Sequence, residues 1–146
     1  MIIDVTINSF NSFDISVSNF ELQLIMGVKW FDARLNFNNL RQKKSSNVMG
    51  PVEKNSIWFP AVLFENTKQK LETVVDAKAL IVVERKGSGK AVDDTFTDNK
   101  LLYAGHENPI HYEHLDNIKF SCFYQLAWYP FDTQSCHRLC SVRQRQ

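Results

Sequence analysis

Short stretches of alternating apolar and polar residues dominate this sequence, and helical periodicity is weak throughout. Gly, Pro, Asn, Asp and Ser separate these stretches, a pattern typical of an all-β sandwich or barrel. The clearest predicted strand covers about residues 22–37. Within it Trp30, Asp32 and Arg34 share one face, so the carboxylate and the guanidinium can pair as i and i+2 neighbours.

Further strands are predicted over about residues 71–85, 95–104 and 118–128, with a loop over 38–55. Pro60 interrupts the apolar segment 57–66, which predicts a piece at a sheet edge or a bend across one, because proline cannot donate to a ladder. The glycines of Gly87-Ser88-Gly89 predict a hairpin turn after the strand at 71–85. The tail 140–146 lacks alternation and is not predicted to be a strand.

Composition narrows the class of protein. The 146 residues are 44% hydrophobic and 12% aromatic, which is enough for one domain with a core. The net charge of +1 gives no electrostatic argument for binding nucleic acid or an anionic membrane. No apolar run approaches the roughly 18 residues of a membrane-spanning helix. No secretory signal is visible, and we interpret residues 1–146 as a single partial domain.

Cys122 and Cys136 enclose thirteen residues and are the strongest local signal. A disulfide between them would close a loop of about 15 residues and stabilise the fold by roughly 3 kcal/mol. Two free thiols are the alternative, since spacing alone does not prove a bond. The third cysteine, Cys140, is then either a free thiol or the partner of a cysteine outside this sequence.

Three motifs carry a resemblance to a known family. The enclosed Tyr129-Pro130-Phe131-Asp132-Thr133-Gln134 resembles the signature loop of the Cys-loop receptors, the pentameric neurotransmitter-gated ion channels. Trp30-Phe31-Asp32-Ala33-Arg34-Leu35 resembles the Trp-x-Asp-x-Arg-Leu strand of that family. Ile57-Trp58-Phe59-Pro60 with Phe64-Glu65-Asn66 resembles its Ile-Trp-x-Pro segment and the binding loop that follows. The resemblance covers residues 22–136. Within the family, the sequence is most similar to invertebrate glycine- or GABA-receptor-like subunits.

The resemblance implies an immunoglobulin-like extracellular β-sandwich, incomplete at its C-terminal end, in a pentamer of homologous subunits. It implies a Cys122–Cys136 disulfide and a small amine or amino-acid neurotransmitter bound between subunits, where an aromatic box holds a cationic amine. Ligand contacts are expected at Ile25, Phe64, Glu65 and Asn66. Neither an enzyme nor a cofactor, metal or nucleic-acid partner is expected. The whole protein is expected on the extracellular side of a plasma membrane, such as a postsynaptic one, attached through a pore domain absent here.

The same resemblance implies that the disulfide loop couples ligand binding to pore opening. The residues expected to do so are Tyr129, Pro130, Phe131, Asp132 and Gln134. Phe131 would be an apolar plug, and Asp132 would order the loop or pair across the interface. Two alternatives stay open: a disulfide-closed turn with no coupling role, and a soluble pentameric ligand-binding protein of the same fold without a channel.

Other positions depart from the family or suggest other chemistry. Ala61 stands where the family has Asp, and Ile25 and Arg143 stand where it has aromatic residues. The histidines of segment 106–114 raise a metal site as a rival, but we interpret this segment as a solvated polar loop. Adjacent Cys136 and His137 would point to opposite faces of a strand, so they are not expected to form a nucleophile–base pair.

Overall fold

A computed structural model describes residues 1–67, 71–72, 79–91, 101–128, 131, 133–137 and 139–143. This part of the chain is nearly all β, as predicted, with one short α-helix, α1 (Pro51–Ser56), and a 3-10 turn at Lys44–Ser46. The strands are β1 (Ile2–Asp14), β2 (Asn19–Trp30), β3 (Asn36–Asn38), β4 (Ala61–Phe64), β5 (Leu71–Glu72), β6 (Leu80–Val83), β7 (Lys90–Ala91), β8 (Leu101–Ala104), β9 (Ile110–Ser121) and β10 (Cys140–Arg143).

These strands form three sheets, with the orders β1-β2-β9-β6, β10-β4-β5 and β3-β8-β7. The pairs β6–β9, β4–β10, β4–β5, β3–β8 and β7–β8 are antiparallel. In the central strand β2, every second residue is buried and the residues between them are half-buried. Such alternation places one face of a strand on a core and leaves the other face accessible.

The described chain divides into two compact units. The first comprises Met1–Val5, Met26–Ile57 and Asp76–His114, and the second comprises Thr6–Ile25, Trp58–Val75 and Leu115–Gln146. Each unit has its own apolar centre. In the first, the fully buried side chains include Met26, Val28, Ile81, Ile110 and Tyr112. In the second, Phe120 stacks on Phe20 at 5.4 Å and meets Phe64 edge-on at 5.8 Å between ring centroids.

The strand predicted over residues 22–37 ends earlier, at Trp30. The reason is local: Asp32 Oδ1 accepts a hydrogen bond from the Arg34 amide, and the Asp32 carbonyl accepts one from the Leu35 amide at 3.2 Å. Aspartate favours such turns because its side chain competes with the sheet ladder for backbone donors. The loop predicted at 38–55 is likewise wrong in part, because α1 begins at Pro51.

Strand β9 also differs from its prediction. It begins at Ile110 and ends at Ser121, so the segment interpreted as a polar loop around His111 and His114 is strand in this region. The predicted strand 118–128 correspondingly stops before Cys122. Strand β9 alternates, with its six even-numbered residues facing inward, but polar residues at two of those positions, His114 and Asp116, hid the pattern from a search for apolar runs.

The glycine-rich turn does not join a hairpin. Strand β7 follows it and pairs with β8, not with β6. A buried side chain explains the path: Asn108 Oδ1 accepts from the amides of Lys86 (2.8 Å) and Gly87 (3.0 Å). Asn108 Nδ2 donates to the Ala104 carbonyl at 2.8 Å. The three bonds replace the ladder bonds that a hairpin would have supplied.

The tail prediction is wrong as well. Cys140–Arg143 form β10, which pairs with β4 in the register Cys140↔Phe64 to Arg143↔Ala61. Pairing of backbone groups with a neighbouring strand needs no apolar alternation in the added strand. The expectation of one domain over residues 1–146 stays a prediction.

Candidate functional sites

A disulfide bond joins Cys122 and Cys136, whose Cα atoms are 5.5 Å apart. The bond confirms the pairing and rejects the alternative of two free thiols; it also removes Cys136 as a nucleophile. The loop is tied to the β1–β2 turn, because the Cys122 amide donates to the Ser18 carbonyl at 2.9 Å. We call residues 122–136 the disulfide loop.

A glutamine clamp narrows the disulfide loop near its base. Gln134 Oε1 accepts from the Gln125 amide at 3.1 Å, and Gln134 Nε2 donates to the Gln125 carbonyl at 2.8 Å. The Phe131 amide donates to the Trp128 carbonyl at 2.8 Å and closes a turn at the tip. The clamp therefore holds the two arms of the loop together independently of the covalent bond.

The described part of the disulfide loop displays large apolar side chains to solvent. Phe131 is 92% exposed, Phe123 is 88% exposed and Trp128 is 79% exposed. Tyr129, Pro130 and Asp132, which the sequence predicts to act with Phe131, lie outside the described residues. Large contiguous apolar patches are unusual on the surfaces of soluble monomers and mark interaction sites.

Tyr124 anchors the same loop to β1 and β2 within the second unit. Its hydroxyl donates to the Asn19 carbonyl at 2.8 Å, and its ring lies 4.7 Å from the ring of Phe13. Burial raises the pKa of Tyr124, and the nearby charge of Asp14 adds to the effect. The hydroxyl therefore stays a neutral donor.

Asn66, predicted as a ligand contact, connects the segment after the disulfide to β4 and β9. Its Nδ2 donates to the His137 carbonyl at 2.5 Å, and its Oδ1 accepts from the Leu139 amide at 2.8 Å. Its backbone carbonyl accepts from the Ser121 amide at 2.7 Å. These bonds show a structural role for Asn66 that the sequence did not indicate.

The other predicted ligand contacts lie in β2, in β4 and in the turn that follows β4. Phe64 is buried beside Phe120 in the second unit, Glu65 is exposed, and Ile25 is half-buried in β2. Their ligand roles stay predictions.

The Trp-x-Asp-x-Arg-Leu motif forms a turn in which the side chains of Trp30 and Asp32 are buried. Trp30 is buried, and Asp32 receives hydrogen bonds from Arg34 Nε at 2.8 Å and Nη2 at 2.6 Å, which confirms the predicted pairing. The Arg34 hydrogen bond holds the pKa of Asp32 below its usual value. Gly105 donates its amide to the Leu35 carbonyl at 2.8 Å, and any Cβ there would overlap the Asp32 carbonyl oxygen.

Two residues of the Ile-Trp-x-Pro segment also serve packing. Pro60 is fully buried at the start of β4, whereas Trp58 is half-buried. A buried proline directly before a strand supplies apolar contact without leaving an amide unpaired.

An open cavity of about 330 Å³ lies in the first unit. Its position follows from Gly27: the residue occupies an accessible-face position of β2 and contributes no side chain. A Cβ at Gly27 would make only ordinary contacts, at 3.8 Å from Asp4 and 4.0 Å from the Tyr112 carbonyl oxygen. Apolar and charged side chains surround this gap, which we call the Gly27 cavity; among them are Asp4, Lys29, Lys44, Leu80, His111 and Glu113. The sequence did not predict this cavity.

Beside the cavity, three positive or ionisable groups lie close to one carboxylate oxygen of Glu84. Glu84 Oε2 lies 2.9 Å from His111 Nε2, 3.2 Å from Lys29 Nζ and 3.7 Å from Lys86 Nζ. Burial by itself raises the pKa of Glu84, but hydrogen bonds from His111 and Lys29 outweigh burial and lower it. Burial lowers the pKa of His111, and the charges of Lys44 and Lys29 lower it further. The hydrogen bond to Glu84 raises the same pKa but does not offset these effects.

Another cavity of the first unit, of about 410 Å³, is lined by residues 35–41, 46–49 and part of α1. Its polar groups largely serve the fold. Asn47 alone bonds the Arg41 amide at 2.8 Å, the Arg41 carbonyl at 2.9 Å and the Val83 carbonyl at 3.0 Å.

Within the described residues, no group of His, Cys, Asp and Glu side chains is arranged to hold a metal ion. Nor does any helix in the described ranges combine the length and apolar character needed to cross a membrane.

The neurotransmitter-gated ion-channel ligand-binding domain family matches residues 2–141 of the chain. The chain belongs to this family. That membership agrees with the β-rich fold and with the disulfide, and it places the chain among receptor ligand-binding domains rather than enzymes.

Named relatives agree with the family. Human gamma-aminobutyric acid receptor subunit gamma-1 is 27% identical over 91% of the chain and 24% of its own length. The glutamate-gated chloride channel subunit beta of Haemonchus contortus is 23% identical over 92% of the chain and 27% of its own length. The chain thus spans about a quarter of the length of these relatives. Neither relative supports the alternative of a soluble ligand-binding protein without a channel.

Proposed function

We propose that this chain is the extracellular ligand-binding part of a neurotransmitter-gated channel subunit, and that the Gly27 cavity is its share of a small-molecule site between subunits. The observation that carries the proposal is the cavity itself, in a domain of a ligand-binding family. At about 330 Å³ it falls in the usual range for ligand sites. Its wall combines an apolar floor with a few charged groups, which is the composition that orients small polar ligands.

The charges on the cavity wall favour a ligand with both signs of charge. Lys29, Lys44 and His111 supply donors, and Asp4 and Glu113 supply acceptors. A small amino acid carries a carboxylate and an ammonium group, and so do the two compounds in the names of the relatives, gamma-aminobutyric acid and glutamate. These compounds are therefore the natural first ligands to try.

The disulfide loop is the proposed coupling element. Its tip exposes Trp128 and Phe131, while the disulfide and the Gln134 clamp fix its base. A rigid base with an apolar tip suits a contact with another part of the protein, since exposed aromatic groups gain free energy when they are covered. In this proposal the covering part is a pore domain in a plasma membrane, and homologous subunits complete a pentamer.

Ligand binding by Gly27 variants tests the proposal. Valine at position 27 suits a strand and fills the gap, whereas alanine fills only part of it. Calorimetry with gamma-aminobutyric acid and glutamate should show binding to the wild-type chain. Binding should weaken by about tenfold or more for Gly27→Val and less for Gly27→Ala, which corresponds to roughly 1.4 kcal/mol or more for the valine variant.

Unfolding curves of the same variants provide the control, because both should be as stable as the wild type or slightly more so. Equal affinity of all three proteins for a ligand that binds would remove the Gly27 cavity from the proposal. Absence of binding to the folded wild-type chain would remove the ligand-binding role of the isolated chain.

A further inference from the structure

Glu84 carries a single negative charge for several partners. His111 Nε2, Lys29 Nζ and Lys86 Nζ all approach the same oxygen, Oε2. One carboxylate cannot neutralise all three groups when His111 is protonated. The charge of the neighbouring cavity wall then depends on how many protons this cluster holds.

The cluster is half-buried where it meets the cavity. Side-chain exposure is 19% for His111, 25% for Lys29 and 31% for Glu84, against 50% for Lys86. Partial burial weakens solvent screening, so a change of one charge is felt more strongly here than on an open surface. Since His111 and Lys29 also line the cavity, that change reaches a bound ligand.

We propose that His111 is a proton-controlled charge in the wall of the Gly27 cavity. Protonated His111 strengthens its bond to Glu84, competes with Lys29 for that carboxylate, and adds a positive charge beside the ligand. The cavity then holds an anionic group more tightly and a cationic group more weakly. The inference rests on the proposed function, because it assumes that the cavity receives a ligand.

Of the charged groups around the cavity, His111 is the one whose charge is expected to change near neutral pH. Lys29 comes from β2, Lys44 from the 3-10 turn, and Lys86 and Glu84 follow β6. On the acidic side, Asp4 of β1 and Glu113 of β9 line the cavity. Lysine, aspartate and glutamate ordinarily titrate outside the range from about pH 5 to pH 7.5, whereas histidine titrates within it.

The position on β9 supports the assignment. His111 lies on the accessible face of the strand, opposite Val82 of β6 in the sheet register. Val82 and Glu113 line the same cavity. The backbone of His111 is held by its pairing with β6, and its imidazole is held by the hydrogen bond to Glu84, so its charge has a fixed place in the wall. By linkage, an anion that binds better to the protonated state must also favour protonation of His111.

The test uses two simple probes whose charges do not change over the pH range: propanesulfonate as the anion and propylammonium as the cation. Their affinities for the full chain are measured by amide NMR titration at pH 7.5 and pH 5.0, following the signals of Gly27 and Lys29. For the wild type we expect propanesulfonate to bind about two- to fivefold more tightly at pH 5.0. Propylammonium should change in the opposite direction.

His111→Gln is the decisive variant, since glutamine can still bond Glu84 but gains no charge. It should bind both probes with the same affinity at both pH values. His106→Gln is the matched control: His106 is exposed, lies outside the cavity lining, and its loss should leave the pH dependence intact. Retained pH dependence in folded His111→Gln, or its absence in the wild type, overturns the inference while the ligand site stands. Failure of both probes to bind the wild type overturns the inference and counts against the cavity itself.

Discussion

The disulfide loop and the Gly27 cavity are built in opposite ways. The loop is one contiguous stretch, closed by the Cys122–Cys136 bond, and it presents apolar side chains to solvent. The cavity is assembled from residues far apart in sequence, and it presents charged groups beside an apolar floor. The two sites therefore differ in what fixes their geometry: covalent closure and a side-chain clamp in one, pairing of strands in the other.

This difference indicates which property a substitution should change at each site. Geometry held by a covalent bond is lost when that one bond is removed, whereas geometry held by a sheet is lost only when the strands separate. Changes at the loop should thus cost stability, while changes at the cavity should alter binding or pH response and leave stability nearly unchanged.

Loss of the disulfide should have the largest effect. The double variant Cys122→Ser/Cys136→Ser should lower the free energy of unfolding by about 3 kcal/mol, because closing a loop of about 15 residues restricts the unfolded chain to that extent. Urea unfolding curves measure the change. A reducing agent should lower the stability of the wild type similarly and leave the variant unaffected; equal stability of variant and wild type would show that the loop geometry does not depend on the bond.

Replacement of Asn66 should come next. Asn66→Ala removes the bonds to the His137 carbonyl and the Leu139 amide and should cost about 1–2 kcal/mol, since both partners are partly open to water. Hydrogen exchange of the Leu139 amide should accelerate in the same variant. Glu65→Ala is the neighbouring control, because Glu65 is exposed. An unchanged exchange rate at Leu139 would contradict the structural role of Asn66.

The glutamine clamp should contribute less. Gln134→Ala removes two hydrogen bonds across an exposed loop and should cost about 1 kcal/mol, with the disulfide intact. The Trp128 side chain should become more mobile, so its fluorescence anisotropy should decay faster. The measurement uses a chain whose other tryptophans are replaced by phenylalanine. Unaltered anisotropy would mean that the disulfide alone orders the tip.

The smallest effect on stability should come from His111. Its pKa is lowered in the folded chain by burial and by Lys44 and Lys29. The unfolded chain therefore binds the proton more readily, so this contribution to stability is present above the ordinary histidine pKa of about 6.5 and declines as pH falls through it. Unfolding curves at pH 7.5, 6.5 and 5.5 should show a gentler decline for His111→Gln than for the wild type; a steeper one would reverse the assignment.

The disulfide loop could be predicted from sequence because its determinants are local. Cys122, Cys136 and the residues between them form a contiguous motif, and so do Asp32 and Arg34, whose pairing was also predicted. The turn that Asp32 makes was missed, because alternation continues in the sequence past Trp30 although the strand does not. Side-chain competition for backbone donors leaves no mark on hydrophobic periodicity.

The cavity could not be predicted, because its determinant is the absence of a side chain at Gly27 opposite residues distant in sequence. Nothing near Gly27 in the sequence shows that His111 or Asp4 would lie beside it. The role of Asn108 was hidden for a similar reason: it lies in the segment 106–114, which the sequence predicts to be a solvated loop, yet its side chain is fully buried and bonds three backbone groups.

The most direct measurement is an amide NMR titration of the isotope-labelled wild-type chain with gamma-aminobutyric acid and with glutamate. One or both compounds should shift the signals of Gly27, Lys29 and His111 in a saturable manner, while the signals of the Gln125–Gln134 clamp stay in place. Saturable shifts confined to other residues, with the Gly27 cavity unaffected, would contradict the proposal that this cavity binds the ligand.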